Sequence, residues 1–466
     1  MKDRQRTNTA QKIAGWVARI HSKAIPATVL EKAKEHLLDG FATMIAGSRE
    51  DASERSDEYL RQLRSTGNAT VIGSGMKVAG EHAALANGIR GHVLDYDDAQ
   101  LATLPNRPFG QLTHPTAPVL AASLAMAESI HANGAALVTA YVVGVEIACR
   151  VADAVDPRHY LNGFHPTGTI AAFGAAAACA HLLKLRENEV NWALGICGSL
   201  ASGIRAQRGT MAKSLNAGRA AQNGVVSASL AKIGFTATRN VFDDPMGFVN
   251  ASCYRRFEKR AFRLGHPFFL IEPGIAIKRY PCPSVIHPAL DAIIDLAQKH
   301  DIEPVAVKRI RVLLGPDAAL PLVYKEPRTA LEAKFSLSFS AAVAVLHRKA
   351  GPSEYSGSAL KNPEIVRLMK TVELIRSAKL KTRGNSGALA EIKIDLHDGR
   401  SYSARNKTVN GHPKRPLSRA EIEQKFVSCA AGSISNREAN SFVKQLWSLE
   451  KVSRLTPWLD LLRSCR

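Results

Sequence analysis

Apolar residues recur at helical spacing through most of the first 265 positions. The run 27–45 repeats them every three to four residues and gives way to a polar loop at 47–56. Further runs at 78–89, 117–132, 134–155, 167–185, 187–202 and 215–233 are rich in Ala, Gly and Ser. Small residues at such intervals let helix axes approach closely, so this half predicts a compact helical domain. Only 69–73 is short, β-like and closed by a glycine. Near residue 265 the pattern changes. The segments 275–280 and 307–314 predict strands flanking a helix over 285–300, with further helices at 335–346 and 363–374. Residues 390–397 alternate apolar and polar, and Asp398-Gly399 turns them into 400–404, a hairpin signal. Two helical patterns, 421–431 and 437–452, close the chain. The expectation is a mainly α protein with a large all-helical domain. Its first part is 1–267, a smaller α+β domain is inserted at 268–405, and the C-terminal helices of 406–466 return to the helical domain.

Composition narrows this picture. The seven cysteines are scattered without a CxxC pair, which supports neither a disulfide framework nor a cysteine-held zinc or iron–sulfur site. A reduced, cytoplasmic protein is expected. The N-terminus is charged with no apolar signal core behind it. The longest apolar stretches, 135–149 and 170–183, are interrupted by Gly, Glu or His and read as buried helices, so no membrane partner is expected. The net charge of +21, from 62 basic and 41 acidic residues, raises nucleic acid as a partner. The surplus is spread along the chain and no recognition motif accompanies it, so nucleic acid is not expected either. A positive field suits small polyanions such as di- or tricarboxylates better.

The candidate chemistry begins with Gly91-His92-Val93-Leu94-Asp95-Tyr96-Asp97-Asp98, where three carboxylates fall within four residues directly after an apolar run. Asp and Gly favour turns and caps over helix interiors, so the cluster is expected where a helix ends at a cavity. His114-Pro115 and His165-Pro166 each open an apolar helix. A proline prefers the first helical position, which leaves each histidine just outside the helix start. The turn Gly209-Thr210-Met211-Ala212 delivers Lys213 to another helix start. There the positive end of the helix dipole favours release of its proton and would make it a base. Lys278-Arg279-Tyr280-Pro281-Cys282-Pro283 is a cationic strand end running into a rigid turn, suited to holding a carboxylate.

Taken in order, these segments resemble the MmgE/PrpD family. The likeness runs through the acidic turn, His114-Pro115-Thr116-Ala117-Pro118-Val119, Gly163-Phe164-His165-Pro166-Thr167 and residues 209–218. It continues through Lys278-Arg279-Tyr280-Pro281, Glu332-Ala333-Lys334-Phe335-Ser336 and Gly411-His412-Pro413. The resemblance implies the two-domain architecture above, a homodimer, and action without cofactor or metal on small polycarboxylates. Known activities of the family are 2-methylcitrate dehydratase, cis-aconitate decarboxylase and iminodisuccinate epimerase. It also implies that Asp95, His114, His165, Lys213 and Lys278 line the active site. Two departures matter: Ala99 stands where the decarboxylase has Thr, followed by a longer loop over 100–113, and Pro283 stands where it has His. The Asn216 position is often His in relatives, and His287 is the nearest histidine to Pro283. Dehydration and decarboxylation each need a placed proton donor, whereas epimerisation needs only two exchangeable groups on opposite faces of one carbon. The expected function is therefore epimerisation of an iminodisuccinate-type dicarboxylate. His114, His165 and Lys213 would move the proton, Asp95 would orient a histidine or set its tautomer, and Lys278, Arg279 and Arg219 would hold the carboxylates. The alternatives are a 2-methylcitrate-type dehydratase and a cis-aconitate-type decarboxylase.

Overall fold

Glycines set the distance between the two helices that carry the site. A Cβ built on Gly88 would lie 2.8 Å from the Gly218 Cα, so the helices Gly80–Val93 and Ala212–Lys232 cross backbone against backbone. The first helix runs toward the site and ends there, while the second starts there. Their close crossing is what brings residue 95 to residue 213. The computed structural model describes residues 8–103, 112–155, 157–254, 257–316, 318–380, 389–406 and 408–462.

The protein is mainly α-helical. The helices Ala27–Gly47, Thr116–Ser129, Gly134–Ala154, Ala171–Leu182 and Glu187–Leu200 surround the crossing pair. Among the described residues Gly134–Ala154 is the one helix long and apolar enough to cross a membrane, yet 89% of its apolar window is buried inside the protein. Burial on all sides explains its composition without a membrane. One apolar cluster draws on residues 10–277 and again on 422–462. The C-terminal helices Arg419–Ala430 and Asn436–Leu446 join it through stacked rings. Phe442 lies 4.5 Å from Trp458 and 5.2 Å from both Phe41 and Phe426, centroid to centroid.

A second apolar cluster spans residues 276–396 together with Leu101. It lies under a four-stranded sheet ordered Val372–Arg376, Val307–Leu314, Ala390–Leu396, Ser401–Asn406. The first pair is parallel and the other two are antiparallel, with Ile310 opposite both Val372 and Ile394. The helix His287–Lys299 packs on this sheet, and Leu337–His347 lies beside it.

Four elements differ from the sequence expectation. The helix at 363–374 stops at Met369, and Val372–Arg376 becomes an edge strand, because the parallel partner satisfies its backbone. The strand at 275–280 pairs only at Ile275–Ala276, against Ala99–Gln100, before the chain turns to bury Lys278. The helix at 167–185 divides into Pro166–Thr169 and Ala171–Leu182. The helix at 437–452 ends at Leu446.

Candidate active site

The acidic turn follows the last residue of Gly80–Val93, with Leu94 as its C-cap. Asp95 then adopts φ 51°, in the left-handed region that short polar side chains tolerate better than others. This reversal aims its carboxylate back toward the helix pair. Lys213 Nζ donates to Asp95 Oδ1 at 2.8 Å, and Lys278 Nζ lies 3.2 Å from Oδ2 while donating to the Asp95 main-chain oxygen at 2.8 Å. Burial opposes ionisation of Asp95, but the two ammonium groups outweigh it and hold the carboxyl well below its usual range. The other carboxylates of the turn have different partners. Asp97 accepts from His92 Nδ1 at 2.8 Å, and Asp98 accepts from His36 Nδ1 at 3.0 Å and from the Thr116 hydroxyl.

Asp95 therefore does not set a histidine tautomer, as the sequence suggested; it binds two lysines. The tautomer-setting carboxylate is Asp97, two residues on, acting on His92. With Nδ1–H committed to Asp97, His92 offers its Nε2 lone pair, and Lys213 donates to it at 2.8 Å. Lys213 thus uses two of its three N–H bonds as a donor. Both contacts engage it as a donor, whereas its helix-start position had suggested a base with a free lone pair.

Two further imidazoles approach His92, with ring centroids at 5.1 Å for His114 and 5.5 Å for His165. Pro166 is the first residue of its helix and His165 its N-cap, as the His-Pro spacing predicts. Pro115, by contrast, is itself the N-cap, and its helix begins at Thr116. The two rings carry opposite tautomers. His114 Nδ1 donates to the Asp98 carbonyl, which leaves Nε2 bare. His165 Nδ1 accepts from the Asn216 amide at 3.1 Å, so Nε2 carries the hydrogen. The same amide donates to the Ile204 carbonyl at 3.3 Å, which fixes its orientation. Burial, reinforced by Lys278, lowers His114 to about 4, and burial with Lys213 takes His165 well below its usual value. Both are neutral near pH 7.

A pH dependence follows. His114 keeps its lone pair until it protonates, so the acid limb of kcat/KM is expected near pH 4 rather than near 6.5. A limb near 6.5 in the pH–rate profile would mean that His114 is exposed or uninvolved. Stability should move with it. A histidine lowered to about 4 in the folded chain takes its proton first in the unfolded one. The stabilisation is complete above pH 6.5 and lost as pH falls through about 4, and urea midpoints across that window should decline accordingly.

Around these groups lies a cavity of about 70 Å³ lined by Asp95, His114, His165 and Lys213. Two arginines not anticipated from sequence, Arg205 and Arg208, also line it. Arg205 stacks over the Tyr160 ring at 3.4 Å, and its Nε has no hydrogen-bond partner among the described residues. The basic turn 205–208 lacks a recognisable spacing; only its fold beside Gly163 and Gly203 turns it inward. His92 was more legible, standing one helical turn before Asp95.

Three expected carboxylate holders lie elsewhere. Lys278 is 1% exposed and braces Asp95 from behind; it is not among the cavity's lining residues. Arg279 turns away to Asp291 at 3.2 Å and faces a different, larger cleft. Arg219 is exposed and bonds Gln222, because six residues along a helix place it about 120° around from Lys213. Pro283 does line the cavity, but His287 does not replace its missing imidazole. His287 Nε2 is bound to the Cys282 carbonyl at 3.1 Å, and burial lowers its pKa to about 3. Most of the loop 100–113 falls at 104–111, outside the described residues. Among the described residues no group of three or more His, Cys, Asp or Glu is placed to hold a metal ion.

Residues 11–259 match the family model of the MmgE/PrpD N-terminal domain, and residues 280–450 match that of the MmgE/PrpD C-terminal domain. The chain is 25% identical over 453 residues to cis-aconitate decarboxylase of Homo sapiens, covering 93% of this chain and 90% of the relative. It is 25% identical over 477 residues to cis-aconitate decarboxylase of Aspergillus terreus, covering 98% and 96%. The enzyme of the same name from Mus musculus is 24% identical over 465 residues, covering 96% and 93%.

Proposed function

This chain belongs to the MmgE/PrpD family, and from that premise we propose that it is a lyase removing CO2 from a small polycarboxylate of the cis-aconitate class. The observation that carries the reading is Lys213, held between Asp95 and His92 at the wall of a cavity whose other cations are Arg205 and Arg208. Breaking the bond to a departing CO2 leaves an electron pair on carbon, delocalised into a neighbouring carboxylate. An ammonium beside that carbon stabilises the developing charge, and its third N–H can return a proton to it. His165, through Nε2–H, would steady a carboxylate, and the arginines would neutralise the others. The names of the relatives support decarboxylation over the epimerisation that Ala99 and Pro283 suggested.

A second reading is dehydration of a hydroxylated tricarboxylate. It is favoured by the bare His114 Nε2 facing the same cavity as the Lys213 ammonium, a base and an acid such as an elimination uses together. Incubation with cis-aconitate in D2O, followed by NMR, separates the possibilities. CO2 release with one deuterium gained at either end of the resulting allylic unit is the expected result. Water gain or loss without CO2 would support the second reading. In a parallel incubation with iminodisuccinate, exchange at Cα with no change in its skeleton would return the assignment to an epimerase.

A further inference from the structure

Lys334 belongs to the segment Glu332-Ala333-Lys334-Phe335-Ser336, and the proposed reaction does not use it. It is the C-cap of the short helix Ala330–Ala333 and is 1% exposed. A buried charge is costly unless it is closely paired. Yet among the described residues its ammonium makes no hydrogen bond, and its one ion pair is with Glu50 Oε2 at 3.8 Å. Lys334 and Lys213 both line a second, small cavity of about 10 Å³, which shares Asp95, Lys213 and Phe335 with the substrate cavity as a common wall. Such a space holds about one water molecule and no substrate. Both ammonium groups can donate to the oxygen of that water. On its other side Lys334 meets Glu50, whose side chain is 30% exposed and lines the larger cleft that Arg279 faces. A chain of polar groups therefore runs from solvent to the rear of Lys213.

Decarboxylation consumes one proton per turnover, and Lys213 is left as an amine once its proton reaches the carbanion. The substrate side offers no replacement. His114 and His165 are neutral there, and the arginines do not release protons. We propose that Glu50, Lys334 and a water in the small cavity return a proton to Lys213 from behind. The amine turns about its Cε–Nζ bond to present its lone pair. The Lys334 ammonium protonates the water as the water protonates the amine, and Lys334 is recharged from the cleft through Glu50. One solvent proton thus enters for each CO2 released. Burial favours the neutral form of Lys334 and lowers its pKa, which suits it to giving a proton away. The path rests on Lys213 being the proton donor in the lyase reading.

Rapid quench with enzyme in excess, set beside steady-state kinetics on cis-aconitate, provides the test. A single turnover uses the proton already on Lys213, so in Lys334→Met its rate should stay within about 2-fold of the parent, while kcat falls about 10-fold or more. Glu50→Gln should show the same split with a smaller fall. In Lys334→Ala, ethylammonium should restore kcat in proportion to its concentration, which slow product release would not allow. Equal loss of the single-turnover and steady-state rates would make Lys334 a structural residue. An unchanged kcat in either Lys334→Met or Glu50→Gln, or no response to ethylammonium, would also overturn the path. If the Lys334 variants do not fold, Glu50→Gln decides by the same comparison. All of these results leave the lyase reading standing. A parent chain that does not convert cis-aconitate would overturn that reading and the path with it.

Discussion

Replacing Lys213 by methionine is expected to lower kcat/KM on the accepted polycarboxylate by about 10³-fold or more, most of it in kcat. A positioned acid is worth about 10²–10⁴ in rate. A preorganised donor to developing charge adds about 3–4 kcal/mol, and Lys213 supplies both from one nitrogen. Its position depends on partners far apart in sequence, with Asp95 Oδ1 and His92 Nε2 each at 2.8 Å. Arginine at 213 should not restore the rate, since its planar fork cannot reproduce a single nitrogen between those two acceptors. Steady-state kinetics decide the matter. A Lys213→Met enzyme that raised KM while keeping kcat would make Lys213 a binding group only. Unchanged kinetics would remove it from the mechanism.

The second large effect concerns stability. Asp95→Asn should destabilise the fold by about 3–5 kcal/mol, because removing one partner of a buried ion pair leaves an uncompensated charge. The charge left behind is Lys278, 1% exposed and paired with Asp95 at 3.2 Å. Asparagine tolerates the left-handed backbone at this position, so the substitution removes charge without adding strain. Urea unfolding of Asp95→Asn, Lys278→Met and the double variant provides the measurement. The double variant should recover a large part of the loss, since it no longer buries an unpaired ammonium. If Asp95→Asn unfolded within about 1 kcal/mol of the parent, in the range of an exposed pair, the brace would be far weaker than its burial implies.

The two variants also separate chemistry from scaffolding around one carboxylate. Lys213 reaches the cavity, so its loss should be seen chiefly in turnover. Lys278 does not, so its loss should be seen chiefly in stability. From sequence the two lysines are hard to rank, since each stands in a motif of the family and each is a cation near a turn.

Local pattern was enough to place the helical half, the hairpin at 390–404 and the helix starts behind His165 and Lys213. Those features are encoded within a few residues, by apolar period, turn chemistry and proline position. The ordered motifs also carried the family, and four of the seven candidate residues, Asp95, His114, His165 and Lys213, line one cavity. What each group does there was decided by tertiary structure alone. That Asp95 meets an ammonium depends on the helix Ala212–Lys232, which crosses behind the turn and carries Lys213. Arg279 is held away from the cavity by Asp291, and Arg205 is turned toward it by a bond to the Gly163 carbonyl, each a contact distant in sequence or fold. The tautomers of His114 and His165 depend on a carbonyl 16 residues away and an amide 51 residues away. Charge, protonation and reach are set by the nearest few ångströms of packed atoms, and those atoms come from parts of the chain that local pattern cannot relate.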